Sequence, residues 1–214
     1  MRRSWACAPF SCSRQRCSFR SESGSASCQQ SRTPGSSTIA SRPLHATSCV
    51  NPSSWSVYNS EGLHFDYPSC WTAVHYSEES MFSSSLVDLS DQPTHQPCTI
   101  TTSASGTTTT CGSPITRLEA GRVLVQWTET GFLGWTLDKA PGTPMTVGGL
   151  HAREQVSRPG ACGENSGDET ISVDVARAYQ DNYYAIWACL RGPDIDQEAA
   201  QIQRMLASTT FPNG

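Results

Sequence analysis

The sequence predicts an α+β domain: an antiparallel sheet of about six or seven strands with a C-terminal amphipathic helix packed on it. Three observations carry this expectation. Short segments alternate apolar with polar residues, which is the strand period. Gly, Pro and Asn clusters separate those segments. Only the end of the chain switches to helical spacing.

All three signals lie after residue 54, where the composition breaks. Residues 1–54 hold seven Arg, no Lys, one acidic residue (Glu22), fifteen Ser and five of the ten Cys. Residues 55–214 hold eight basic and eighteen acidic residues, five of the six Trp and all six Tyr. A segment of about +6 therefore precedes a body of about −10, and the chain divides into a leader (1–54) and one domain (55–214). A body of 160 residues is long enough for a single sizeable core.

The elements follow in order. Gly62-Leu-His-Phe-Asp-Tyr-Pro68 sets Leu63, Phe65 and Tyr67 against His64 and Asp66, a half-buried strand stopped by Pro68. Trp71–Tyr76 offers a second short strand anchored by Trp71, and Phe82–Leu89 a third. Residues 99–110 are uncharged and Thr-rich with little apolar weight, the composition of a flexible surface loop. Arg122–Glu129 is rich in β-formers, with Val123, Val125 and Trp127 on one face. Met145–Val156 reads as one strand bent at Gly148-Gly149. Glu169–Leu190 is the clearest hairpin. Ile171, Val173 and Val175 alternate in its first arm, Tyr179–Asn182 turns, and Tyr183–Leu190 is apolar on both faces, as a central strand must be. Pro193 and Asp194 then open a helix with Ile195, Ala199, Ile202, Met205 and Leu206 on one face and Glu198, Gln201 and Arg204 on the other. The tail Ser208–Phe211 is expected to dock its Phe on the sheet.

The leader has three competing readings. Fourteen Arg against one Lys (Lys139) points to GC-rich coding DNA, which tends to give an Arg, Ser, Cys and Pro mixture when read from the wrong start or frame. A disordered or mistranslated segment fits best, because too little apolar content is present to offset the entropy of ordering. A basic arm would show denser Arg runs. An export signal needs an apolar run that Ser4–Arg20 never provides, although Ser25-Ala-Ser-Cys28 and Ala46-Thr-Ser-Cys49 faintly resemble lipobox ends. On this reading a chain starting near Ser54 melts as the full chain does.

The body carries a resemblance. It opens with Gly62, Phe65, Tyr67, Pro68 and Trp71 in the pattern Gly-x-x-Phe-x-Tyr-Pro-x-x-Trp. It closes with Ala188-Cys-Leu-Arg-Gly-Pro193, an amphipathic helix and Ser208-Thr-Thr-Phe211. Over roughly residues 58–212 this resembles the PsbP-like fold as used in small exported lipoproteins of actinobacteria, the LpqN type. The resemblance implies an envelope-associated, non-enzymatic domain.

Chemistry is sparsely signalled. The five His (45, 64, 75, 95 and 151) show no metal-binding or HExxH spacing, and Gly142, Gly148 and Gly149 form no phosphate loop. Gly163-Glu-Asn-Ser-Gly167 places its Ser one position late for a nucleophile elbow and reads as a turn. Asp168, Glu169 and Asp174 lack calcium-loop spacing and read as a solvated strand edge. The acidic body argues against nucleic acid, and no apolar run reaches the roughly 20 residues of a membrane span. No cofactor is expected. The chain is thus expected to be a non-catalytic exported or cell-envelope domain that binds a protein, lipid or glycan partner. The alternative is a secreted hydrolase whose Ser or Cys meets His75 or His151 only in three dimensions. Tyr179, Tyr183 and Tyr184 are candidates to frame a ligand site, although core packing is their default role.

The body's five Cys lack CxxC and Cys/His pairing and fit structural disulfides, which persist outside the cytosol. Locality favours Cys98–Cys111 across the Thr-rich segment and Cys162–Cys189 at the terminal hairpin. Cys70 is then left as a buried thiol, with Cys49 as its weaker option.

Overall fold

A computed structural model of the chain describes residues 49, 51–60, 62–76, 82–160, 162, 167–177 and 182–212. All lie in the second of the two units into which the chain divides, Leu44–Gly214. The expected disordered leader, apart from Cys49 and residues 51–54, lies outside the described residues, as do most of the Gly163–Gly167 segment and the Tyr179–Asn182 turn.

The strands are β1 (Trp55–Ser60), β2 (Leu63–Pro68), β3 (Thr72–Val74), β4 (Ser83–Ser90), β5 (Cys98–Ser103), β6 (Gly106–Cys111), β7 (Arg122–Gly131), β8 (Thr143–Val147), β9 (Leu150–Ser157), β10 (Glu169–Ala176) and β11 (Asn182–Arg191). Among the described residues one α-helix, α1 (Ile195–Ser208), follows. Seven strands form one antiparallel sheet in the order β3-β4-β7-β11-β10-β9-β8, with β11 in the middle. The doubly apolar Tyr183–Leu190 run therefore occupies the central position that its composition requires. β1–β2 and β5–β6 are separate two-stranded ribbons.

The inner face of the sheet presents Val123, Val125 and Trp127 of β7, Ile171, Val173 and Val175 of β10, and Ile186, Ala188 and Leu190 of β11, all buried. The β1–β2 hairpin and α1 cover that face, with Phe65 of β2 stacked on Trp127 and Ile202, Met205 and Leu206 of α1 in the same core. The tail after α1 pairs Thr210 with His64 in β2 and stacks Phe211 on Tyr184 at 4.6 Å. A small second core lies on the outer face, where Ile115 and Leu118 close over Leu124 and the Cys162–Cys189 pair.

Several expectations change. Residues 99–110 are a regular hairpin, β5–β6, because seven β-branched Thr favour extended backbone even without burial. The Gly148-Gly149 pair does not bend one strand. It turns between two, β8 and β9, since both glycines take positive φ (55° and 81°), the signature of a tight hairpin turn. The polar face of α1 is partly inside: Glu198 and Gln201 are buried, and the Gln201 amide donates to the Cys49 carbonyl. Asp194 makes no side-chain cap; its backbone carbonyl receives the Gln197 and Glu198 N–H groups instead. Glu169, Asp168 and Asp174 form no solvated acidic edge. Glu169 is buried against Arg158, Asp168 accepts the Gly192 N–H, and Asp174 leaves β10 on the face opposite Glu169.

The structure links Cys98 to Cys111, Cys162 to Cys189, and Cys49 to Cys70. Cys70 is thus no buried thiol; it sits exposed in the turn after β2. Its partner Cys49 is buried in the main core, so the domain begins before the composition break at residue 54. Composition marks where apolar patterning starts, and one buried cysteine carries no such pattern.

A chain beginning at Ser54 should accordingly melt below the full chain. Losing a crosslink between residues 21 apart removes roughly 3 kcal/mol, or about 6–12 °C for a domain of this size. Calorimetry of both forms tests it, with Cys49→Ser in the full chain expected to reproduce most of the loss. The β8–β9 turn supplies a second comparison. A Cβ at Gly148 would lie 2.8 Å from the Phe211 ring and 2.9 Å from the Thr209 carbonyl, while one at Gly149 meets nothing within 4 Å. Urea melts should give roughly 1–2 kcal/mol loss for Gly149→Ala from backbone strain alone, and roughly 2–5 kcal/mol for Gly148→Ala, where collision adds to it.

Candidate functional site

The pairing of β4 with β7 slips between Ser85 and Val87, leaving Leu86 as a bulge. A bulged residue is released from the strand ladder, so its carbonyl can serve other donors. Two reach it. The Tyr58 hydroxyl donates from β1 at 3.2 Å, and His75 Nδ1 donates from just beyond β3 at 2.8 Å. A carbonyl only accepts, so Nδ1 carries a proton.

This bulge forms one wall of a pocket of about 170 Å³ at the end of the sheet under the β1–β2 hairpin. Tyr58, Ser60 and Leu63 come from the hairpin side, His75 and Leu86 from the bulge, and Glu129, Arg177 and Tyr184 from the ends of β7, β10 and β11. Pro212 closes it from the tail. Register explains the convergence: Glu129 stands directly opposite Tyr184 on the inner face, at the point where the apolar rows of β7 and β11 give way to polar residues.

The pocket is electrostatically balanced. Arg177 forms an ion pair with Glu129 and lies 4.8 Å above the Tyr184 ring. Both partners are partly exposed, so the pair is worth little in stability and serves mainly to hold two polar groups in place. Beyond the pocket, at the same end of the sheet, Phe82 and Phe132 stand 6.1 Å apart and exposed, with Leu133 beside them 89% exposed.

The sequence-level candidates separate clearly. His75 and Tyr184 enter the pocket, and Ser60 lines it with them. His151 lies exposed on β9, opposite Thr146 of the edge strand. Tyr183 points to the outer face, where it stacks on Trp135 at 4.0 Å, and Tyr179 lies outside the described residues. Among the described residues, no His nitrogen is hydrogen-bonded to a Ser or Cys, and no three metal-ligating side chains cluster. Glu129 and Arg177 were not singled out by the sequence; 48 residues separate them and no local motif marks either.

A second polar cluster lies beneath α1. Asp91 Oδ1 accepts the Val123 N–H and Oδ2 accepts from Arg122, tying the end of β4 to the start of β7. Burial raises the Asp91 pKa, and these hydrogen bonds offset part of the rise. Glu198 of α1 faces this group with Oε2 buried and without a hydrogen-bond partner among the described residues. Burial, then repulsion from Asp91 and Asp194, lifts its pKa to about 8, against the pull of Arg122. On the outer face, burial likewise raises Asp88, with the Gln126 amide and His75 opposing.

No family model matches this chain, and no curated protein matches it.

Glu198 yields a pH prediction. A carboxyl whose folded pKa is raised binds its proton more tightly when folded, so stability falls as pH climbs from about 4.5 to about 8 and is flat above. Glu198→Gln should remove this slope. Thermal melts at pH 9 should place the variant above the wild type, and at pH 5 the gap should close. A constant gap at both pH values would show that Glu198 does not titrate in this window.

Proposed function

We propose that this domain is a non-catalytic, exported binding module of the cell envelope, PsbP-like in fold, and that its pocket takes one sugar unit of a glycan. The observation that carries the reading is that the pocket's polar groups are engaged with one another. His75 serves a backbone carbonyl and Arg177 serves Glu129, an arrangement that presents fixed donors and acceptors without an activated nucleophile.

Size and charge narrow the ligand. At about 170 Å³ the pocket falls below the roughly 300–1,000 Å³ of drug-sized sites, enough for a ring and too small for an acyl chain. The guanidinium is neutralised by Glu129, which disfavours a simple anion. Vicinal hydroxyls match a carboxylate–guanidinium pair, and the half-buried Tyr58 ring, stacked on Phe65 on one side, offers its other face to the C–H side of a pyranose. The exposed Phe82, Phe132 and Leu133 supply an apolar shelf for the remainder of a larger partner. Three disulfides support the compartment, since such bonds persist in oxidising surroundings.

One observation favours a second reading. Ser60 and His75 line the same pocket, the pairing that a hydrolase would need. Calorimetric titration with envelope oligosaccharides should show saturable binding that Arg177→Ala weakens at least tenfold, while anionic lipid vesicles give none. Turnover of an ester or amide substrate that disappears in both Ser60→Ala and His75→Ala would replace the binding reading with the hydrolytic one.

A further inference from the structure

Every residue from Thr99 to Gly112 is exposed, so the β5–β6 hairpin buries neither of its faces. Between Cys98 and Cys111 lie seven Thr, two Ser and a single large apolar residue, Ile100, with no charge and no Pro. The register sorts them. Thr99 stands opposite Thr110 and Thr101 opposite Thr108 on one face, while Cys98–Cys111, Ile100–Thr109 and Thr102–Thr107 share the other. The hydroxyls of Thr99, Thr101, Thr108 and Thr110 make no hydrogen bond to any described residue, whereas Thr102 and Thr107 approach each other at 3.4 Å.

An uncharged, β-branched ribbon with open edges is a template for strand pairing between molecules. The seven-stranded sheet avoids that hazard: its edge strand β3 is three residues long, and its other edge strand, β8, carries Pro144. The hairpin has neither device, and a lone two-stranded ribbon is marginal without support. The Cys98–Cys111 bond and the Gly112 N–H to Pro97 carbonyl bond pin its base. Something must cover the rest. Val would supply equal β propensity, so the selective use of Thr points to the hydroxyl itself.

We propose that the Thr99, Thr101, Thr108 and Thr110 face is an O-glycosylation site, modified by a transferase using an activated sugar. The acceptor Thr Oγ attacks the anomeric carbon of a lipid- or nucleotide-phosphate sugar. The new C–O bond replaces the donor's C–O bond to phosphate, which leaves with the bonding pair, and the hydroxyl proton passes to a base of the transferase. Hydration of the attached sugars keeps both strand edges from pairing. This inference goes beyond the pocket but rests on the proposed export.

The test is the intact mass of the protein recovered from its own cells, before and after reduction. Whole-hexose increments that map to residues 99–110 are expected, and replacing the four Thr with Val, which keeps the β-branched shape, should abolish them. The same variant, still carrying the Cys98–Cys111 bond, should aggregate at concentrations at which the native protein stays monomeric. An exported protein with all disulfides formed and the mass of the bare polypeptide overturns the glycosylation alone. Phosphate-sized increments, sugars mapped outside the hairpin, or an unmodified hairpin protected only by a bound partner strand overturn it equally. Recovery from the cytosol with free thiols sinks the export reading and this inference together.

Discussion

One stack of aromatic rings ties the domain together. Tyr58 lies over Phe65 at 4.9 Å, Phe65 over Trp127 at 5.1 Å, and Phe211 bridges Trp127 and Tyr184. These five rings come from β1, β2, β7, β11 and the tail after α1, so one layer joins the hairpin, the centre of the sheet and the chain end. Each pair adds about 0.5–1.5 kcal/mol beyond the area it buries. The Trp127 indole N–H is buried without an acceptor among the described residues, a cost that the stacking on Phe65 and the tilted contact with Phe211 must outweigh. Trp127 is held for its shape and area.

The same stack places the pocket. Tyr58 ends the row of rings, and its hydroxyl reaches the bulged Leu86 carbonyl. Tyr184 ends the other branch and supports Arg177. The site thus forms where packed aromatics run out and their polar tips and neighbours begin, a common place for an apolar core to offer specific hydrogen bonds.

Period and composition made much of this legible. Leu63, Phe65 and Tyr67 alternate, Val123, Val125 and Trp127 alternate, and the corresponding strands bury them as the pattern requires, apart from Tyr67, which is half-buried at the strand's end. The arms of the terminal hairpin and the apolar stripe of α1 follow the same logic. The failures have physical causes. The β5–β6 ribbon buries nothing, so it leaves no amphipathic trace. Glu198 and Gln201 sit on the polar side of α1, yet both are buried, Gln201 bonded to the Cys49 carbonyl and Glu198 near the Asp91–Arg122 pair. The site was legible only one residue at a time: His75 and Tyr184 drew attention, but Glu129 and Arg177 meet through register across non-adjacent segments.

The central position of β11 governs when the fold can exist at all. β11 supplies the ladder for both β7 and β10, and the β1–β2 hairpin is secured by residues still later in the chain, as in the Asp66 N–H bond to Ser208, 142 residues away. A chain emerging from its N-terminus therefore lacks the strand that joins β3-β4-β7 to β10-β9-β8 until β11 has appeared, and contacts of such long separation close slowly. For most of its synthesis the polypeptide stays threadable, and the architecture snaps shut only with the final strand, helix and tail.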